Sequence, residues 1–403
     1  MKLLSVIASM NPISGGPCQG IRNNIPHWIE RGLHPVVVSL NNPSELFVKN
    51  DGIIGLGPSN NKWSYTKKLK PWLEEHLLEY DVILVHGLWL YNSYAVYKVI
   101  KKLRTQSSKT GNKVPKFFIM PHGMLDPYFQ TTKERKWKSI RNYIYWYLIE
   151  KKVIGEADGL LFTCEEEMRL ASLTFKQYHP KSTFNVGYGI HEPPMFNIQF
   201  KIALENICSE IIGKKYFLFL SRIHSKKGVD ILLYAYLKFA NSLITKNTSF
   251  PILVIAGPGL DTDYGKSILN IVNSNQTLKN NVVFSGMIQG DAKMGALYGC
   301  EAFILPSHQE NFGIAVVEAM ACLKPVLISN KINIWREIEN DYAGIVEDDT
   351  LDGTNKLFNK WSKLTLSEQI EMGKNGFKLY RQKFSAKASS EKFIQVVTNN
   401  KKV

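Results

Sequence analysis

Two glutamates near the end of the chain, Glu310 and Glu318, are separated by seven residues, and an Asn-Phe-Gly turn follows the first of them. An apolar run typical of a buried strand precedes the pair. From Ile314 to Cys322 the apolar residues recur at helical spacing. The pattern therefore predicts that Glu310 lies on a strand-to-helix loop, that Asn311–Gly313 begin the helix, and that Glu318 lies further along it.

These groups suit a ligand that carries both a phosphate and hydroxyl groups. Free N–H groups and the positive end of the dipole at a helix start favour an anion. The Glu318 carboxylate could accept both hydroxyls of a ribose, while Glu310 meets a different part of the same ligand. For Glu318 alone a solvated surface residue is the simpler interpretation, because charged side chains are mostly exposed.

A second candidate group contains two cations, Arg222 and Lys227, in a turn that ends at Gly228. The turn follows an apolar strand and precedes the apolar helix from Val229 to Phe239. A guanidinium offers a planar fork to phosphate and an ammonium offers a point charge, so the two could hold a pyrophosphate and neutralise it as it departs. Taken alone, the segment also fits a solvated basic turn.

Two loops in the first half of the chain also follow predicted strands. Gly15 and Gly16 would allow a phosphate or sugar to approach the backbone closely, although a tight turn explains a glycine pair equally well. His122 follows the strand from Lys116 to Met120 and places an imidazole at the strand end. A single histidine is by itself more simply explained by a structural role.

The elements that must position these residues alternate between short apolar strands and helices, which predicts α/β architecture with parallel sheets covered on both faces. A loop rich in glycine and proline, from Gly187 to Pro194, interrupts the pattern. We therefore expect a first domain over residues 1–195 and a second over 210–384, with a C-terminal helix, residues 385–403, completing the first. The predicted strands are Leu3–Ser9, Val36–Leu40, Val82–His86, Lys116–Met120, Gly159–Thr163, Tyr216–Leu220, Ile252–Ala256, Val282–Ser285, Ala302–Leu305 and Val326–Ser329.

Composition limits the possible partners and the compartment. The 403 residues include 50 Lys and Arg against 35 Asp and Glu, a net charge of +15 that favours anionic substrates or surfaces. Five scattered cysteines without a Cys-x-x-Cys pair argue against a disulfide framework or a structural zinc site and favour a reducing cytoplasm. The chain has no apolar run long enough to predict a transmembrane helix. A signal peptide is not expected, because Pro12 and two glycines interrupt the first apolar run.

Part of the positive charge lies in residues 133–148. At helical spacing this segment has a basic face beside an aromatic face. This combination suits the interface of an anionic bilayer and predicts a peripheral contact with the inner face of the cell membrane. The alternative is a helix whose aromatic side chains pack in the core and whose lysines are merely solvated.

The ordered set of motifs resembles the retaining glycosyltransferases of family four, also called glycosyl transferases group one, from about residue 3 to about residue 347. The resemblance implies the GT-B fold, in which two Rossmann-like domains face each other. It implies that Glu318 holds the ribose, that Glu310 contacts the donor sugar, and that Arg222 and Lys227 bind the pyrophosphate. The implied catalytic set is Glu310, Arg222, Lys227 and His122, and the implied donor-binding set is Gly15, Gly16, Arg222, Lys227, Met287, Ile288, Glu310, Asn311, Phe312, Gly313, Ile314 and Glu318.

The same resemblance implies transfer of a hexose or hexuronic acid from a nucleotide diphosphate sugar, expected to be UDP-linked, to a glycan or lipid-linked acceptor in polysaccharide or exopolysaccharide synthesis. It implies front-face retention, with the leaving phosphate taking the acceptor's proton. No metal, other cofactor or nucleic acid is expected, and the Asp261-Thr262-Asp263 motif is interpreted as a solvated turn. The alternatives are a nucleotide-sugar epimerase or hydrolase of the same fold, or a non-enzymatic basic protein that binds membrane or nucleic acid.

Two positions depart from this pattern. Family members usually have glycine where this chain has Leu323, two residues before Pro325. Glycine often ends helices in the left-handed conformation, so the loop geometry there is in question. Pro26 falls within the first predicted helix, where it fits poorly unless Asn24 caps that helix and Pro26 lies in its first turn.

Overall fold

The computed structural model describes residues 1–59, 61–111, 113–131 and 136–398. The chain divides into two compact units. The first comprises Met1–Gly189 and the segment that begins at Ala386, and the second comprises Ile190–Ser385. The division falls within the glycine- and proline-rich loop that the sequence marked as a boundary.

The first unit is built on a parallel sheet whose strand order, among the described residues, is β3-β2-β1-β4-β5-β6-β7. Continuous apolar runs form its central strands because both faces of the sheet are covered. All five residues of β4, for example, are buried. The strands are β1 Lys2–Ile7, β2 His34–Ser39, β3 Ile54–Gly55, β4 Val82–His86, β5 Lys116–Met120, β6 Gly159–Phe162 and β7 Thr183–Asn185.

Helices cover this sheet, and the last helix of the chain belongs to the same unit. Trp28 and Phe393, on the first and last helices, pack with their ring centroids 5.0 Å apart, and Arg31 Nη2 lies 2.6 Å from Glu391 Oε1. The helices are α1 Gly16–Glu30, α2 Leu46–Asn50, α3 Leu69–His76, α4 Tyr91–Thr110, α5 Tyr128–Thr131, α6 Lys136–Tyr145, α7 Lys151–Glu156, α8 Glu165–Thr174 and α18 Ala386–Thr398. A π-helical turn, Trp146–Glu150, joins α6 to α7.

The second unit contains a parallel sheet of order β10-β9-β8-β11-β12-β13. Its strands are β8 Tyr216–Leu220, β9 Ile252–Ala256, β10 Val282–Gly286, β11 Ala302–Leu305, β12 Val326–Ser329 and β13 Gly344–Glu347. Its helices are α9 Ile198–Ile207, α10 Val229–Ile244, α11 Asp263–Asn273, α12 Gln276–Asn281, α13 Gly290–Gly299, α14 Ile314–Ala321, α15 Trp335–Asn340, α16 Leu351–Trp361 and α17 Leu366–Leu379. The two parallel sheets with their helices confirm the predicted α/β fold.

Pro26 does not lie in the first turn of a helix capped by Asn24. Helix α1 begins ten residues earlier, at Gly16, because Gly15 has a φ of 86° and Pro17 occupies the first turn. Pro26 therefore lies in the helix interior and removes one backbone hydrogen bond. Asn24 is not a cap. Its Nδ2 donates to Gly20 O at 2.8 Å, and its Oδ1 accepts from the Ser390 hydroxyl at 2.9 Å.

Within the described part of the chain, none of the helices has the length and the apolar composition needed to cross a membrane. The basic aromatic segment, residues 133–148, lies partly outside the described residues, since residues 133–135 are not among them. Residues 399–403, in the predicted C-terminal helix, also lie outside the described residues.

Candidate active site

A cavity of about 400 Å³ opens at the carboxyl ends of the strands in the second unit. It lies where the strand order reverses, because β8 is followed along the chain by β9 and β10 on one side and then by β11 on the other. Ligands of open α/β sheets bind at such a reversal. The cavity is lined by Leu220–Arg222, Ala256–Pro258, Met287–Gln289, Lys293, Leu305, Glu310, Gly313–Ala315 and Glu318.

Arg222 is exposed, and within the described residues its guanidinium has no hydrogen-bond or ion-pair partner. Its position is set by the neighbouring loop after β9. Ile223 N donates to Pro258 O at 2.8 Å. A Cβ on Gly257 would lie only 1.9 Å from Ser221 O, so only glycine permits this approach. A rigid backbone thus presents a free cation to the cavity, as phosphate binding requires.

Lys227 is 9% exposed and contacts the Glu310 carboxylate. It ends a short 3-10 turn, and Gly228 follows with a φ of 65°. Burial lowers the pKa of Lys227 to about 8, and repulsion from Arg222 and Lys226 acts in the same direction. The contact with Glu310 favours the charged form, so Lys227 is an ammonium at neutral pH. The backbone of Glu310 is fixed in turn, because its N–H donates to Lys331 O at 2.9 Å.

Helix α14 begins at the cavity. Gly313, with a φ of 78°, precedes its first residue, and no side chain caps the helix. Its first-turn residues Ile314 and Ala315 line the cavity together with Gly313, so the positive end of the helix dipole lies there. Of the predicted donor-binding residues, Asn311 and Phe312 do not line the cavity. Phe312 is buried against Phe384, with ring centroids 5.4 Å apart.

Glu318 lies one turn into α14 and is paired. The Lys293 ammonium, on α13, donates to Glu318 Oε1 at 2.7 Å. Both side chains are partly exposed, and both line the cavity. One carboxylate oxygen of Glu318 is thus engaged, which leaves the other for a ligand. Met287 and Ile288, expected near the base of a nucleotide, line the same cavity.

The remaining predicted residues, Gly15, Gly16 and His122, belong to the first unit. Gly15 has a φ of 86° and no atom within 4 Å of the position of a Cβ, so its backbone is open to solvent. Gly16 begins α1. His122 follows β5 with a φ of 53°, and its Nε2 lies 3.0 Å from His86 Nδ1. Burial lowers the pKa of His122 to about 4, so the imidazole is neutral at pH 7.

Comparison with known proteins identifies the second unit. Residues 209–379 match the family model for glycosyl transferases group 1. This segment belongs to the glycosyl transferases group 1 family. The matched residues contain the whole cavity, from Leu220 to Glu318.

Related proteins are similar to parts of this chain. It is 27% identical to the alpha-1,3/1,6-mannosyltransferase ALG2 of Mus musculus over 272 residues, 65% of this chain and 63% of that protein. It is 30% identical to an uncharacterized glycosyltransferase of Methanocaldococcus jannaschii over 132 residues, 33% of this chain and 31% of that protein. Each alignment spans less than two thirds of the relative's own length.

Among solved structures, Anabaena HepE in complex with UDP superposes with a TM-score of 0.71 at 15% identity, over 99% of this chain and 100% of that one. At this identity the likeness concerns the fold alone. It confirms the predicted GT-B architecture of the chain.

Sequence reasoning did not find Gln289 and Lys293, which line the cavity of the second unit. It also did not find His86, which contacts His122 in the first unit. A lysine on a helix in a lysine-rich chain carries no signal that separates it from a solvated residue. The Asp261–Asp263 motif, in contrast, has a structural role, because the Thr262 hydroxyl caps α11 by accepting from Gly265 N. No cluster of three or more metal-ligating side chains occurs among the described residues.

Proposed function

We propose that this protein is a retaining glycosyltransferase that moves a hexose or hexuronic acid from a UDP-linked sugar to a glycan or lipid-linked acceptor. The observation that carries the proposal is the cavity of the second unit. It combines a free guanidinium, an uncapped helix start and a carboxylate with one open oxygen. These groups match, in order, a pyrophosphate, its distal phosphate and a ribose.

Arg222 and Lys227 supply the electrostatic part of the reaction. When the bond between the anomeric carbon and the phosphate oxygen breaks, negative charge develops on the leaving diphosphate. Cations already fixed at that place stabilise the transition state without reorganisation, and removal of one such group typically costs about 3 to 4 kcal/mol. The acceptor hydroxyl attacks from the face that the nucleotide leaves, and its proton passes to the departing phosphate oxygen. Glu310 orients the sugar and stabilises the positive charge at the anomeric carbon.

Two comparisons bear on the identity of the sugar donor. The superposed Anabaena structure contains UDP, whereas the mouse relative is named a mannosyltransferase. The base and the sugar of the donor are therefore tested separately. We expect UDP to raise the melting temperature saturably and GDP to raise it less. Stabilisation by GDP alone would contradict the UDP part of the proposal. A panel of UDP-sugars then identifies the sugar by the largest shift.

Transfer itself requires a separate assay. The enzyme with its donor and a lipid-linked or glycan acceptor should release UDP in step with formation of a glycoside that retains the anomeric configuration. Arg222→Gln should lower kcat roughly 100-fold or more while the melting temperature stays unchanged, because the side chain is exposed and unpaired. Rapid release of free sugar, or of an epimer, without acceptor would instead identify a hydrolase or an epimerase.

A peripheral contact with the cytoplasmic face of an anionic membrane fits the surface of α6 and the following π turn. Trp137 is 85% exposed, and Ile140, Ile144 and Leu148 are each more than half exposed. Trp137, Ile140 and Ile144 follow one another at helical spacing, and Lys138 and Arg141 lie between them. Apolar residues that enter the headgroup region beside lysines that meet anionic lipid make a suitable interfacial helix. All five cysteines are free, in keeping with a reducing compartment.

Vesicle sedimentation tests this contact. Vesicles that contain anionic lipid should retain the protein at low salt and release it at high salt. Trp137→Ser with Ile144→Ser should weaken retention. Leu366→Ser, which changes a residue that is 66% exposed in the second unit, should not. Equal retention by neutral vesicles would contradict the electrostatic part.

A further inference from the structure

Two histidines of the first unit, His86 and His122, form a direct pair. His86 ends β4, and His122 lies two residues beyond the end of β5, the adjacent strand, in which Met120 is paired with His86. The rings are stacked, with their centroids 5.3 Å apart and an interplanar angle of 19°. His86 Nδ1 lies 3.0 Å from His122 Nε2, which is a hydrogen-bond distance.

Both rings are neutral at physiological pH. Burial holds the pKa of His86 well below its ordinary value, and the neighbouring His122 lowers it further. Burial lowers the pKa of His122 to about 4. A neutral imidazole carries one N–H donor and one acceptor nitrogen. The hydrogen bond between the rings therefore has one of two directions, and each direction fixes the tautomer of both rings.

A small cavity beside the pair bears on this direction. Its volume is about 20 Å³, and it is lined by His86, His122 and Trp28 among others. His86 Nε2 and Trp28 Nε1 are buried, and neither has a partner among the described residues. The indole N–H only donates, so the cavity already holds one unpartnered donor. Buried N–H groups without a partner are rarer than acceptors without one, which favours the tautomer that leaves His86 Nε2 unprotonated.

We propose that His86 is a positioning residue that fixes the tautomer of His122 through the hydrogen bond between the two rings. With no proton on its Nε2, His86 carries its proton on Nδ1 and donates it to His122 Nε2. His122 then carries its own proton on Nδ1, where it is available as a hydrogen-bond donor to a ligand. That this ligand is the donor sugar rests on the proposed function. The tautomer assignment does not.

The backbone around the pair is held in place, as a positioning role requires. His122 adopts a φ of 53° and Gly123 a φ of 78°, a conformation unfavourable for a residue with a Cβ. The Gly123 N–H donates to the buried Glu167 carboxylate at 2.5 Å. On the other strand, Asn92 Nδ2 donates to His86 O at 3.1 Å. Both strand ends are thus anchored by side chains that lie outside the ring pair.

Nitrogen-15 NMR of the full chain with labelled histidine tests the assignment, because the imidazole shifts show which nitrogen carries the proton. The His122 signals are identified by their loss in His122→Gln. We expect the His122 proton on Nδ1 in the unmodified protein. His86→Leu removes the donor and should leave a mixture of His122 tautomers. His86→Asn retains an amide donor near the Nδ1 position and should restore the single tautomer.

Activity supplies a second readout. His86→Leu should lower kcat roughly tenfold, the equivalent of one hydrogen bond, and His86→Asn should recover most of that loss. A His122 proton on Nε2 in the unmodified protein would overturn the proposal, and so would an unchanged tautomer in a folded His86→Leu variant. If the predicted tautomer is found but no nucleotide sugar reacts, the proposed function fails and this inference stands.

Discussion

The Lys293 ammonium lies 2.7 Å from Glu318 Oε1, and both side chains line the cavity of the second unit. In this arrangement the lysine engages one carboxylate oxygen of Glu318. The other oxygen remains for the two hydroxyls of a ribose. We therefore expect the two residues to act together in nucleotide binding, although Glu318 is the one of the two that is predicted to contact the nucleotide.

This relationship predicts a non-additive effect on nucleotide affinity. Glu318→Gln should weaken UDP binding roughly tenfold, the cost of a charge-assisted hydrogen bond. Lys293→Gln should weaken it about two- to fivefold, because a partly exposed ion pair contributes little. The double variant should bind no worse than Glu318→Gln alone, since the lysine acts through the glutamate. Titration calorimetry measures all three, and additive losses would mean that Lys293 contacts the nucleotide itself.

The pKa of Lys227 predicts how anion binding depends on pH. Burial lowers this pKa to about 8, so the charged form that attracts a diphosphate is present at pH 7 and is lost above pH 8. The dissociation constant of UDP should be flat near pH 7 and should rise above pH 8, by at most tenfold per pH unit. Lys227→Arg keeps its charge over this range and should abolish the rise. A rise that persists in Lys227→Arg would assign the titration to another group.

Much of the fold could be predicted because the central strands are continuous apolar runs. Val82–His86, Tyr216–Leu220 and Ile252–Ala256 were predicted with the bounds that the structure shows. Two strands at sheet edges gave no pattern: Ile54–Gly55 has only two residues, and Gly344–Glu347 has just two apolar residues between Gly344 and Glu347. They form because their backbones hydrogen-bond to the neighbouring strand of the sheet.

The residues of the candidate site also differ in whether the sequence alone reveals them. Arg222 and Glu310 could be found because each follows a strand and lies in a loop with an unusual composition. Lys293 and His86 could not be found from local sequence. One is a helix lysine, and the other is the last residue of an apolar strand. Their significance comes from partners 25 and 36 residues away along the chain. Such contacts are fixed by tertiary packing, which single-sequence patterns do not contain.

Glu150 predicts a pH-dependent contribution to stability. It is fully buried, its Oε1 accepts from Trp89 N at 2.6 Å, and its Oε2 has no partner among the described residues. Burial raises the pKa of Glu150 from an ordinary value of 4.5 to about 7. Between these values the folded protein holds a proton that the unfolded chain has lost. Its contribution is therefore complete below pH 4.5 and is lost as the pH rises to 7.

Glu150→Gln removes this titration while it keeps the shape of the side chain. The free energy of unfolding of the variant, relative to that of the unmodified protein, should increase by about 3 kcal/mol between pH 4.5 and pH 8. Denaturant titrations at several pH values measure the difference. Glu339→Gln, which changes an exposed glutamate, should show no such trend. A constant difference for Glu150→Gln would mean that Glu150 is already ionised in the folded protein.

Leu323 shows how the chain ends α14 at a position where the family resemblance implies a glycine. Leu323 N donates to Met320 O and Lys324 N donates to Ala319 O, both at 3.0 Å, which is the Schellman arrangement of a helix end. That arrangement needs a left-handed residue, and Leu323 supplies it with a φ of 61°. The loop keeps the geometry expected of glycine, and the leucine bears a steric cost of about 1 to 2 kcal/mol.

Comparison of two truncations measures this cost. Leu323→Gly and Leu323→Ala both remove the side-chain atoms beyond Cβ. The Leu323 side chain is 48% exposed, so the two variants lose similar packing. Glycine enters the left-handed region freely and alanine does not. We therefore expect Leu323→Gly to be more stable than Leu323→Ala by about 1 kcal/mol, after the greater entropy of glycine in the unfolded chain is included. Equal stability, or a more stable alanine variant, would show that the helix end relaxes out of the left-handed conformation in solution.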